Sequence, residues 1–250
     1  MHKLTFLLLS VSLFIFSCKK EDNTTTGNNI SINITPISGG KVAKTDEELN
    51  HLSGLKYKIS DLKIYISNIR LVNHQGEDIK FQMENIPGSE QGVFLYQVGS
   101  NESFSGSLPD NHYTRLKFDV GLAPTLNDLN PNQFSKEHPL SRETDMYWDM
   151  MKYRFVVFEG KLDKAENGSF DFPFSYHLGG DDFLRSAELD INLNVSGDKK
   201  LQIPVKLNLD KFFTDNTESI DINSFFSYHS GDGQKETGLL MMDFIRNSFK

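Results

Sequence analysis

Ala187 to Leu209 reads AELDINLNVSGDKKLQIPVKLNL, and its spacing decides the architecture. Ala187, Leu189, Ile191, Leu193 and Val195 fall on every second position, as do Leu201, Ile203, Val205, Leu207 and Leu209. A period of two marks a strand with one buried and one solvated face. Ser196-Gly197-Asp198-Lys199-Lys200 interrupts the two runs and predicts a hairpin connection between them. Pro204 lies on the polar phase of the second run and, lacking an N–H, predicts an edge strand.

The same period governs most of the chain. Ile30, Ile32 and Ile34 alternate with polar neighbours until Pro36 to Gly40 breaks the run. Leu62, Ile64 and Ile66 alternate, and the phase slips before Ile69 and Leu71, as it does at a bulge. Phe170, Phe172, Phe174 and Tyr176 share one face. Helical patterns do not alternate with these strands, so the chain is read as all-β, an antiparallel β-sandwich of about eight to ten strands. One C-terminal helix is expected, because Leu240, Met241, Phe244, Ile245 and Phe249 form a stripe at helical spacing. No internal repeat or second domain is visible. Asn101 to Asn111 and Leu122 to Asp145 read as long connections, where a rigid scaffold can carry a site.

The N-terminus reads as an address. Lys3 precedes the apolar run Leu4 to Phe16, which is too short to span a bilayer and has the form of a signal peptide over residues 1–17. Ile15-Phe16-Ser17-Cys18 resembles a bacterial lipobox, making Cys18 the lipidated residue of an outer-membrane lipoprotein in the cell envelope. Lys19 to Asn23 resembles the charged sequence behind the lipid cysteine of Bacteroidetes lipoproteins. Residues 18–29 then form the lipidated cysteine and a flexible polar tether, and residues 30–250 the folded domain. Cys18 is the only cysteine, so the fold owes nothing to disulfides.

A formal net charge of −8 without a basic patch argues against nucleic acid as a partner. Zinc-protease, nucleophile-elbow, phosphate-loop and two-CxxC signatures are missing, so a binding protein rather than an enzyme is expected. Without a thiolate in the folded domain, any copper or zinc site must use imidazoles, thioethers or oxygens. His177 is notable among the histidines because an aromatic strand ends there in Leu178-Gly179-Gly180. His138 and His229 are candidates for a second imidazole. The only tryptophan, Trp148, sits beside Tyr147 among Met146, Met150 and Met151. A lone tryptophan in such surroundings is ordinarily a core anchor.

Four separated motifs argue for more. Tyr57 to Leu71, Val120-Gly121 to Asn127, Met146-Tyr147-Trp148 to Glu159-Gly160, and Phe174-Ser175-Tyr176-His177-Leu178-Gly179-Gly180 together resemble the MbnP-like family, in that family's order. The resemblance implies a periplasmic or surface β-sandwich that binds copper, with a tryptophan that can be oxidised to kynurenine and a dihaem peroxidase-like partner as oxidant. Trp148 and His177 match the family's tryptophan and histidine. Met150 stands where a second aromatic is usual, and Lys152 where a glycine is. Met150 and Met151 are thioether candidates for Cu(I). The competing reading keeps the fold but makes the chain a non-metal binding or structural outer-membrane module with a vestigial site.

Overall fold

The computed structural model describes residues 29–84, 86–197, 199–215, 217–230 and 233–250. The expected signal peptide, Cys18 and nearly all of the tether lie outside those residues. Among the described residues no helix is long and apolar enough to cross a membrane.

The main strands are β1 (Asn29–Ser38), β2 (Lys56–Asn73), β3 (Val93–Gln97), β4 (Ser103–Ser107), β5 (Asn111–Val120), β6 (Tyr147–Trp148), β7 (Lys152–Leu162), β8 (Phe172–Gly179), β9 (Arg185–Val195), β10 (Lys200–Asn208) and β11 (Ser227–His229). They form two sheets, one running β10-β1-β4 and one running β9-β5-β2-β7-β8-β11, with shorter strands on their flanks. Residues of both contribute to one apolar core, among them Ile30, Ile32, Ile203 and Val205 from the first and Tyr57, Ile64, Phe155 and Phe158 from the second. The sandwich is thus as expected, though two of its pairings, β1 with β10 and β8 with β11, are parallel.

The predicted hairpin does not form. β9 pairs with β5 in the larger sheet, with Ala187 opposite Phe118, while β10 pairs with β1 in the smaller, with Leu201 opposite Ile30. The connection between them crosses from one sheet to the other. Alternation reports which face of a strand is buried, and two strands facing a shared core from opposite sheets give the same pattern as a hairpin. Pro204 is on an edge strand, as its position predicts. β10 ends its sheet, and among the described residues its outer side takes only the chain terminus, where Lys206 and Lys250 exchange backbone hydrogen bonds of 2.7 and 2.9 Å.

Two boundaries differ from expectation. β1 continues through Pro36 to Ser38, the Pro36 carbonyl accepting from Ala43 N. Residues 101–111 are not a plain loop but carry β4, paired to β1. The slip before Ile69 is a bulge: the register of β2 on β5 breaks between Ser67 and Arg70, where Asn68 has φ 51°. Asparagine tolerates that left-handed conformation better than most residues. The helix α1 (Lys235–Asn247) buries Met241, Met242, Phe244 and Ile245. Phe249 lies past its end, bridged to Leu207.

One edge of the long strand β2 is shared. β7 pairs with Tyr57 to Ile64 and β5 with Ile66 to Asn73. Where β7 gives way to β5, the Gly121 amide bonds the Tyr65 carbonyl at 2.8 Å and the 122–145 segment leaves the sheet. The candidate site forms beside this junction.

Candidate metal centre

His177 occupies β8 and His229 ends β11, and the parallel pairing makes them register partners. Side chains at matched positions of neighbouring strands leave the sheet on the same face. The two Nδ1 atoms consequently lie 2.9 Å apart. Trp148 is brought over them by the two-residue strand β6, which folds back on β7 with Trp148 opposite Lys152. Its ring is nearly parallel to His229, 5.5 Å away at 15°, and edge-on to His177 at 5.2 Å. Trp148 is half-buried, forming part of the rim instead of the core.

Hydrogen bonds assign the protons. Glu159 Oε1 is 2.5 Å from His177 Nε2. A carboxylate accepts, so Nε2 carries the hydrogen and Nδ1 offers a lone pair. The His229 Nδ1–H then donates across the 2.9 Å gap. Burial holds the His177 pKa below the usual imidazole value; the Glu159 hydrogen bond opposes this, while Arg154 and His229 add to it. His177 is therefore neutral near pH 7, the form in which an imidazole binds metal.

A third group enters from β7. The side chain of Arg154 is 4% exposed and reaches Asp145 Oδ1 at 3.2 Å. Its Nη1 is 3.4 Å from His177 Nδ1, and its Cζ lies 4.9 Å from the Trp148 ring centroid. Among the described residues Nε has no hydrogen-bond partner, and Nη2 is near Asp145 without alignment for one. A buried guanidinium with unmatched donors, beside two imidazoles, is an energetically costly arrangement.

The supporting shell explains the sequence motifs. At Gly179 a Cβ would come within 2.6 Å of the Tyr153 carbonyl, so only glycine lets β8 approach β7 there. Gly121 has φ 111° and packs against the Phe155 ring. Asn127 clamps two pieces of the site, accepting from Tyr153 N at 3.2 Å and donating to Asp181 Oδ1 at 2.9 Å. The buried hydroxyls of Tyr65 and Tyr153 fix the adjacent loop through the carbonyls of Pro139 and Leu140, each at 2.7 Å. Lys152, at the position of the family's glycine, has φ 63° and an ion pair to Asp128.

Of the sequence candidates, Trp148, His177 and His229 come together. His138 does not join them. It stacks on Phe134 at 4.1 Å, accepts from Leu140 N, and binds Gln91 Oε1 at 2.9 Å in a separate cleft. Its loop is pinned by Tyr65 and Tyr153 in an orientation that commits both ring nitrogens. Met150 is 91% exposed, while Met151 lines a neighbouring cleft with Gly179, Tyr228 and Ser230. Among the described residues no group of three or more His, Cys, Asp or Glu is arranged to hold a metal. Glu159 does not complete one, because it engages the nitrogen of His177 that points away from His229. Reasoning from sequence missed Glu159 and Arg154 as site residues. The available signal was a charged residue inside the apolar run Tyr153 to Phe158.

Fold and site together define a class, a two-sheet β-sandwich that presents an imidazole pair under a single tryptophan. A sequence profile of the family described as MbnP matches residues 27–230, and the chain belongs to that family. Its fold is similar to that of MbnP from Methylosinus trichosporium, with a TM-score of 0.56 at 17% identity, covering 74% of this chain and 76% of the other. No curated protein sequence matches it.

Proposed function

We propose that this chain is a copper-binding lipoprotein of the cell envelope, holding the ion with the imidazoles of His177 and His229 beneath Trp148. The observation that supports it is the 2.9 Å approach of the two Nδ1 atoms. Metal–imidazole bonds of about 2 Å span up to about 4 Å between two nitrogens, so the pair is within reach of one ion once the His229 proton passes from Nδ1 to Nε2. Imidazole is a suitable donor for copper, and a carboxylate on the far nitrogen is the usual means of orienting a ligating histidine. Resemblance to the family supplies the choice of copper. The role is one of binding, with Cys18 as the anchor.

The family resemblance also suggests oxidation of the tryptophan to kynurenine by a dihaem peroxidase-like partner. Trp148 suits that reading because its ring is half-buried and stacked on His229, so an opened ring would present its new polar atoms beside the imidazoles. Metal analysis and intact-mass measurement on protein purified from its native host test both parts. Copper retained by the wild type and lost in His177→Ala and His229→Ala is the expected result. Wild-type protein that retains no copper at micromolar metal would sink the proposal.

One observation favours the competing reading, a structural module with a vestigial site: the buried guanidinium of Arg154 already donates toward the nitrogen that a metal needs. In that case His177→Ala would lower stability without altering any metal content.

A further inference from the structure

We infer that Arg154 selects the charge of the ion that His177 and His229 accept, favouring a monovalent cation over a divalent one. The inference rests on the copper-site reading and assigns a role to a residue outside the proposed ligand set. Arg154 Nη1 is 3.4 Å from His177 Nδ1, and its guanidinium lies 4.9 Å from the ring of Trp148. The side chain is 4% exposed, so water does little to screen it, and arginine keeps its charge under all ordinary conditions. Its counter-ion, Asp145, is 83% exposed on the side chain and offsets only part of that charge. At His177 Nδ1 the guanidinium is 3.4 Å away, whereas the Glu159 carboxylate reaches only the far nitrogen, Nε2, so an ion arriving on the Nδ1 side meets the positive charge at closer range than the negative one.

The resulting field acts on an ion in proportion to its charge. Two unit charges about 5 Å apart at an effective dielectric of about 20 change an affinity by about a few hundredfold, and a divalent ion meets twice that free-energy penalty. Partial neutralisation by Asp145 reduces the discrimination, leaving about tenfold between monovalent and divalent ions. A purely structural Arg154 would move stability and leave the ratio of affinities alone.

The test measures affinities of the intact protein for Ag(I), a redox-inert monovalent probe, and for Zn(II), by calorimetric titration with folding checked by circular dichroism. In Arg154→Met the preference for Ag(I) over Zn(II) should fall about tenfold. Arg154→Lys, which keeps the charge, should retain most of it. Asp145→Asn should raise the preference a few-fold. This last variant decides the matter if Arg154→Met fails to fold, since Asp145 is at the surface and its left-handed backbone (φ 56°) accommodates asparagine. Ratios unchanged in Arg154→Met and Asp145→Asn, with both ions bound, overturn this inference and leave the copper reading intact. Binding of neither ion by wild type and variants alike overturns both.

Discussion

His177 and His229 are register partners across a parallel strand pair, 52 positions apart in sequence and with their Nδ1 atoms 2.9 Å apart. Strand pairing, not a local motif, assembles the candidate centre. The sheet therefore sets the geometry, and changes in how β7, β8 and β11 sit together should register at the imidazoles.

Glu159 is the first place to test this. It fixes the tautomer of His177 through Nε2 at 2.5 Å. Glu159→Gln keeps the volume but removes the charge-assisted hydrogen bond. Loss of such an orienting partner typically costs 10–100-fold in metal affinity. Competition titration should show a loss of about that size, and unchanged copper affinity would show that Glu159 does not orient the ligand.

Gly179 tests the close approach of the strands. Alanine there would overlap the Tyr153 carbonyl, at 2.6 Å from its Cβ. That oxygen and the Arg154 Cα, 3.0 Å from the same Cβ, are both backbone atoms, so the two strands must part. Overpacking of this kind costs about 1–3 kcal/mol. Chemical denaturation of Gly179→Ala should show that loss together with weaker metal binding, and a variant as stable as wild type would mean the strands are not so tightly apposed.

Lys152 gives a prediction of unusual sign. Its φ of 63° is costly for a residue with a Cβ and easy for glycine. Both Lys152→Ala and Lys152→Gly lose the Asp128 ion pair, so comparing them isolates the backbone. Glycine should be the more stable of the two by about 1 kcal/mol, the reverse of the ordinary order within a strand. Equal or inverted stabilities in denaturant titration would remove the left-handed assignment.

Much of the fold was legible in the sequence, and the limits have physical causes. Alternation in Ile30 to Ile34 and Ala187 to Leu209 identified strands and buried faces, and Pro204 identified an edge. It could not reveal that β9 and β10 belong to different sheets, because each strand's pattern records its own burial and not its neighbour. Trp148 and His177 were found through motifs whose glycines answer to close backbone approaches. His229 had no such signal, since a three-residue strand is too short to show a period. Arg154 and Glu159 lie on β7, which is buried almost throughout, where a charged residue reads as an irregularity until its neighbours are known.

Stability of the metal-free protein should depend on pH through its buried histidines. Burial lowers the pKa of His51 below its ordinary 6.5, against the pull of Asp221 and of the Ile220 carbonyl, and burial likewise lowers His138 and His177. The unfolded chain binds protons near 6.5, before the folded one does. Stability is then full above that value and is lost as pH falls through the folded pKa values. Unfolding free energies measured from pH 7.5 down to 5 should decline, less steeply in His51→Leu. A flat or rising profile would contradict the burial of these rings.

The central claim is that two imidazoles, joined by β8 and β11, share one copper ion. X-ray absorption at the copper edge of the loaded intact protein tests it most directly. The account predicts imidazole nitrogen scatterers at about 2 Å in the wild type, with one fewer in His177→Ala and one fewer in His229→Ala. Copper held with the same nitrogen shell in both variants would contradict it.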